Sequence, residues 1–131
     1  MKRFRKDVFI CCGANTVSLG TGRPEFNPRK PRPGLEHYIA EAGRAVIGQI
    51  PSAAMIDEFV IGNFMAARFN RQGNLAGFGP MIDPALEHKP ATRVEGACAS
   101  GGLALYTSIK TVLADAADVV LAMGVEVQNT V

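Results

Sequence analysis

Val94-Glu95-Gly96-Ala97-Cys98-Ala99-Ser100-Gly101-Gly102-Leu103-Ala104-Leu105 decides how this chain is read. A cysteine follows a short β-type run and stands where a helix begins, ringed by Gly, Ala and Ser. The first turn of a helix leaves backbone N–H groups unpaired and favours negative charge beside them. The thiolate is the nucleophilic form of cysteine, so the position suits a reactive sulfur. Small neighbours leave room for a second molecule to reach it. The strand-to-helix turn also matches the way hydrolases present their nucleophiles. A free cysteine is otherwise most often a small buried hydrophobe, and that reading stands beside the reactive one.

Working outward, Thr92-Arg93-Val94 forms a short strand leading into the turn. Beyond it, Leu105, Ile109, Val112 and Leu113 make one helical stripe, which Leu103, Ala104 and Tyr106 widen around the axis. That pattern predicts a helix buried on most sides. Val119-Val120-Leu121-Ala122-Met123 follows as a buried strand ended by Gly124. Upstream, Phe59-Val60-Ile61-Gly62-Asn63-Phe64 reads as another, and Val8-Phe9-Ile10-Cys11-Cys12 as a first. Side chains alternate along a strand, so Cys11 and Cys12 are expected on opposite faces, both as small buried residues.

Leu35, Tyr38, Ile39, Ala42, Ala45, Val46 and Ile50 follow helical spacing, with Gly34 at the start and Pro51 as the stop. Residues 20–34 contain Pro24, Pro28, Pro31 and Pro33 and are expected to be loop. Over residues 73–85 the helical spacing of Leu75, Phe78, Met81 and Ile82 is interrupted by Gly77, Gly79 and Pro80. Alternating strands and helices give an α/β fold with a largely parallel sheet. Right-handed crossovers then bring the strand ends and Cys98 to one edge, where such sheets bind ligands.

The chain has 131 residues, 47% hydrophobic and 20% charged, which suits one globular domain. Its formal net charge of +2 gives no general attraction for nucleic acid. Basic residues concentrate early, at Lys2, Arg3, Arg5, Lys6, Arg23, Arg29, Lys30 and Arg32. They form either a solvated arm or a landing site for an anionic ligand such as a nucleotide-bearing cofactor. Phe4 and Phe26 are too few for a base-stacking platform. Three cysteines without a secretory signature fit a reducing, cytoplasmic setting. No run approaches the roughly 20 apolar residues of a membrane span. His37 and His88 have no metal-site spacing, so no metal is expected. Gly20-Thr21-Gly22 and Gly77-Phe78-Gly79 lack the rest of a dinucleotide fingerprint. Gly96 to Gly101 has phosphate-loop spacing, but Gly102 stands where a lysine is required.

The segment from Val94 to Ala104, followed by Ala117-Asp118-Val119-Val120-Leu121-Ala122-Met123-Gly124-Val125-Glu126, closely resembles the N-terminal half of thiolases. Val-Glu before the turn and Gly-Val-Glu after the strand are most similar to the sterol-carrier-protein and archaeal-type branch. The resemblance runs along essentially the whole chain. It implies a thiolase-like α/β half with a mostly parallel mixed sheet and a buried central helix starting at the nucleophilic cysteine. It also implies an acyl-CoA acyltransferase in which Cys98 accepts the acyl group as a thioester, assisted by its own N–H. Gly101 and Gly102 would allow close helix packing and access to the sulfur. Gly124 and Glu126 match a structural turn with no catalytic role.

Thiolases add a second half with a Gly-His-Pro histidine, an acid/base cysteine and a loop domain over coenzyme A, none of which has matching positions here. Residues 1–131 are therefore expected to form an incomplete N-terminal domain, inactive alone. The expected partners are acyl-CoA as substrate, with no permanently bound cofactor, and further copies or the absent half; neither nucleic acid nor membrane is expected. The alternatives are a decarboxylating β-ketoacyl synthase, which usually has Thr-Ala-Cys before the helix, and a non-catalytic thiolase-like partner.

Overall fold

In a computed structural model the described residues are 6–18 and 33–128. The proline-rich stretch, Gly20-Thr21-Gly22 and most of the early basic residues lie outside them.

Three strands, β1 (Glu58–Gly62), β2 (Ala91–Val94) and β3 (Val120–Gly124), form a sheet of order β2-β1-β3 in which both pairings are parallel. α1 (Leu35–Ile47) and α4 (Ser100–Leu113) are the long helices. α2 (Ala66–Phe69) and α3 (Gly79–Ile82) are single turns, and 3₁₀ turns occupy Ala53–Met55, Leu75–Phe78 and Pro84–Leu86. Over residues 73–85 the interrupted pattern thus becomes a chain of short turns: Gly79 caps the first, Pro80 stands in the first turn of α3, and Asp83, extended ahead of Pro84, ends it.

The central strand β1 is almost wholly buried, as its apolar run requires. Its alternation divides the core. Phe59 and Ile61 join Leu121 and Met123 of β3, Leu35 and Ile39 of α1, and the turn residues Leu75, Ile82 and Leu86 in one cluster. Gly62 and Gly124 point the other way, onto α4. α1 begins after Gly34 and buries Leu35, Ile39, Ala40 and Gly43 along one stripe. Arg44 on its outer side donates to the carbonyls of Met81 (2.8 Å) and Ile82 (3.3 Å), bracing α3. The helix ends at Ile47, ahead of Pro51.

Two expectations are corrected. Val8-Phe9-Ile10-Cys11-Cys12 has no ladder partner among the described residues and is not a strand of the sheet; Phe9 and Ile10 are 78% and 77% exposed, Cys11 is exposed and Cys12 half-buried. An apolar run becomes a central strand only where a neighbouring strand pairs with it. This one is tied by side chains instead: Lys6 to Asp115 (2.8 Å), and Gln49 Nε2 donating to the Gly13 carbonyl (3.1 Å). Second, α4 is not enclosed on most sides. Its buried residues are Ser100, Ala104 and Ser108, one stripe of small side chains, while Leu105 and Tyr106 are exposed.

The small stripe exists because α4 starts directly on the sheet edge. A Cβ at Gly62 would overlap the Ser100 carbonyl oxygen, and one at Gly124 would stand 2.8 Å from Gly101 Cα. At the opposite edge Asp57 ties β1 to β3. Its Oδ2 accepts from the N–H of Asp118 (3.0 Å) and Val119 (2.9 Å), and its own N–H donates to the Val119 carbonyl (2.8 Å).

Gly62→Ala should destabilise the fold by about 3 kcal/mol or more, since the obstructing atom is backbone and core overpacking costs about 1–3 kcal/mol where side chains can yield. Gly102→Ala, whose Cβ would meet open space, should leave the melting temperature unlowered. Paired thermal melts of the two variants check this. The two N–H bonds from Val119 and Asp118 hold the Asp57 carboxyl below the usual carboxylate range. A lowered folded-state pKa gives stability that is present above the unfolded value of about 3.9 and lost as pH falls below it. Asp57→Asn should therefore flatten the loss of stability below about pH 4 in urea titrations, while lowering stability at neutral pH.

Candidate active site

Because all three strands are parallel, their C-terminal ends, Gly62, Val94 and Gly124, lie at one edge. The chain leaves β2 there, makes a tight turn and enters α4. Ala97 holds a left-handed backbone conformation (φ 49°), which costs a non-glycine residue about 1–3 kcal/mol and persists only where neighbours enforce it. Ser100 does so. Its hydroxyl donates to the Ala97 carbonyl (2.7 Å) and accepts from the Gly96 N–H (3.0 Å). Backbone bonds from Ala99 N–H to Gly96 (2.9 Å) and from Ser100 N–H to Ala97 (3.1 Å) close the turn.

Cys98 sits at the crest of this turn and is exposed. The reading of it as a sealed core residue is excluded. The helix proper starts two residues later, at Ser100, so the sulfur stands before the first turn. Among the described residues the N–H groups of Cys98, Gly101 and Gly102 have no hydrogen-bond acceptor. Gly101 packs closely against Gly124, since a Cβ added at Gly124 would stand 2.8 Å from Gly101 Cα, whereas Gly102 faces open space.

Cys98 lines a cavity of about 410 Å³ whose walls are the ends of β1 and β3 and the loops after them, including Phe64, Val125, Glu126 and Gln128. Glu126 is the ionisable side chain that shares this cavity with the thiol. Its carboxylate accepts from the N–H of Phe64 (3.0 Å) and Met65 (3.2 Å) and from Asn63 Nδ2 (3.3 Å). Asn63 is fully buried; it also donates to the Val125 carbonyl (2.8 Å) and accepts from the Ala66 N–H (2.9 Å). No sequence pattern marks either residue as part of a site. The Gly-Val-Glu resemblance puts Glu126 in a structural turn, and nothing local distinguishes Asn63.

Both histidines lie elsewhere. His37 is on α1, 3.4 Å from Glu41, and His88 is exposed in the turn after Pro84–Leu86. Neither lines the cavity around Cys98. A second groove of about 360 Å³ runs between residues 14–18 and the outer edge of β3, and the thiol is not part of it.

The family model for the thiolase N-terminal domain matches residues 35–130. An acetyl-CoA acetyltransferase of Methanocaldococcus jannaschii is 39% identical over 110 residues, which is 82% of this chain and 27% of that protein. One of Methanothermobacter thermautotrophicus is 41% identical over 93 residues, 67% of this chain and 23% of that protein. The chain therefore spans about a quarter of the length of these relatives. The parallel sheet, the turn that lifts Cys98 before α4, and this match over most of its length together make the chain a member of the thiolase family, corresponding to the N-terminal domain.

Proposed function

We propose that this chain carries the nucleophile of a thiolase-type acyltransferase acting on acyl-CoA, with Cys98 as the acyl acceptor. The observation that carries the proposal is Cys98 exposed on a strained, internally braced turn, beside unpaired N–H groups and a cavity. Both relatives named above are acetyl-CoA acetyltransferases, which favours this reading over a decarboxylating synthase.

In the proposed half-reaction the Cys98 sulfur, as thiolate, attacks the thioester carbonyl carbon. A bond from Sγ to that carbon forms, the carbonyl oxygen becomes an oxyanion, and the intermediate then collapses with loss of the coenzyme A thiolate. The proton released by Cys98 goes to a base and returns on the departing sulfur. Covalent transfer of this kind replaces one high barrier with two lower ones. The Cys98 N–H, free of other acceptors, is the proposed donor to the oxyanion; such fixed donors commonly give the largest single contribution. Gly101 and Gly124, which line the cavity together with Cys98, leave room there for the thioester.

No histidine of the described residues is placed to serve as the base, and the sequence contains no Gly-His-Pro. The base, the acid/base cysteine and the cover over coenzyme A would then come from chain outside these 131 residues, which would make residues 1–131 part of a longer enzyme. Complete turnover would be the reversible Claisen condensation or thiolytic cleavage of 3-ketoacyl-CoA. A cytoplasmic enzyme working as a homo-oligomer fits, since β2 and β3 each have an outer edge unpaired among the described residues, and such edges favour association. Among the described residues no helix is long and apolar enough to cross a membrane.

Incubation with acetyl-CoA followed by intact-protein and peptide mass spectrometry should show one acetyl group on Cys98, absent in Cys98→Ala. Acetylation that survives this substitution would overturn the assignment. The purified 131-residue chain should show no sustained thiolysis of acetoacetyl-CoA. Multiple turnovers by that chain would contradict the proposed division of the machinery.

A further inference from the structure

We infer that Glu126 is a positioning residue for acyl transfer to Cys98, its carboxylate clamping together the two loops that wall the cavity in front of the thiol. The inference rests on the role proposed above for Cys98.

Three observations carry it. Glu126 joins residues more than sixty positions apart: Oε2 accepts from Phe64 N–H (3.0 Å) and from Asn63 Nδ2 (3.3 Å), and Oε1 accepts from Met65 N–H (3.2 Å). Both oxygens are thus engaged by donors from the loop after β1, so the carboxylate is committed to the protein rather than offered to a substrate. Second, the clamp is doubled beneath the surface by Asn63, fully buried, which bonds the Val125 carbonyl with one end of its amide and the Ala66 N–H with the other. Third, these loops continue from Gly62 and Gly124, the two residues on which the start of α4 rests. Movement of either loop is passed directly to Ser100 and Gly101, and through the Ser100 hydroxyl to the Ala97 carbonyl beside Cys98.

The carboxylate itself needs no contact with the acyl group. It fixes the distance between Phe64 and Val125 across the cavity, and hence where the thioester carbonyl lies relative to the sulfur and the Cys98 N–H. Reacting groups displaced by about 1 Å can lose about 100-fold in rate, so a clamp at this place affects the chemical step more than binding.

The test compares wild type, Glu126→Ala and Glu126→Gln in single-turnover acetylation of Cys98 by acetyl-CoA, varying acetyl-CoA to separate the maximal rate from the half-saturating concentration. Alkylation of Cys98 by iodoacetamide, which requires no oxyanion geometry, is measured in parallel. Glu126→Ala should lower the maximal acetylation rate by about tenfold or more, with half-saturation and iodoacetamide alkylation each within about twofold of wild type. Glu126→Gln should recover most of the rate, because its amide oxygen can still accept from Phe64 N–H and Asn63. Acetylation of Glu126→Ala at the wild-type rate would overturn the inference, as would a loss shared equally by acetylation and alkylation and not recovered by glutamine. If wild-type Cys98 is not acetylated at all, the proposed role of Cys98 fails and the inference falls with it.

Discussion

Backbone contact between the start of α4 and the ends of two strands is the constraint on which the site depends. Gly62 lies against the Ser100 carbonyl and Gly124 against Gly101, with no side chain between helix and sheet at either place. Side chains there would lift the helix away from the sheet edge. The same approach explains why the buried stripe of α4 is Ser100, Ala104 and Ser108 rather than its larger apolar residues. It also holds the Ala97 turn in a left-handed conformation, because Ser100 is both the seat of the helix and the brace of the turn. Fold and presentation of Cys98 are thus set by one contact.

Two carboxylates frame that contact. Asp57 bonds the backbone entering β3 at one end of the sheet, and Glu126 bonds the backbone leaving β1 at the other. Each supplies acceptors to N–H groups that the parallel ladder leaves unpaired, and so ties a loop to the neighbouring strand. The arrangement is symmetrical in form and different in consequence: the Asp57 end meets the turn after α4, while the Glu126 end faces the thiol.

Much of this is legible in the residues. The apolar run around β1, the glycine ending β3 and the cysteine in a small-residue turn together predict parallel strands with the thiol at their shared edge. Hydrophobicity misleads where partners decide the outcome. Phe9 and Ile10 have the composition of a buried strand, yet no strand pairs with them among the described residues and they face outward. In α4 the large residues suggest the buried face, but close helix–sheet approach selects the small ones. Asn63 and Glu126 are silent as a pair because their contact is created by strand register, not by any local pattern.

In the proposed mechanism the turn, and not mere exposure, makes Cys98 an acyl acceptor. Cys11 is also exposed and serves as an internal comparison. The most direct measurement is the site-resolved rate at which acetyl-CoA acetylates these two cysteines in the same sample. Cys98 should be labelled at least about tenfold faster, on the order of one properly placed catalytic donor or less. Equal rates at Cys98 and Cys11 would contradict the mechanism.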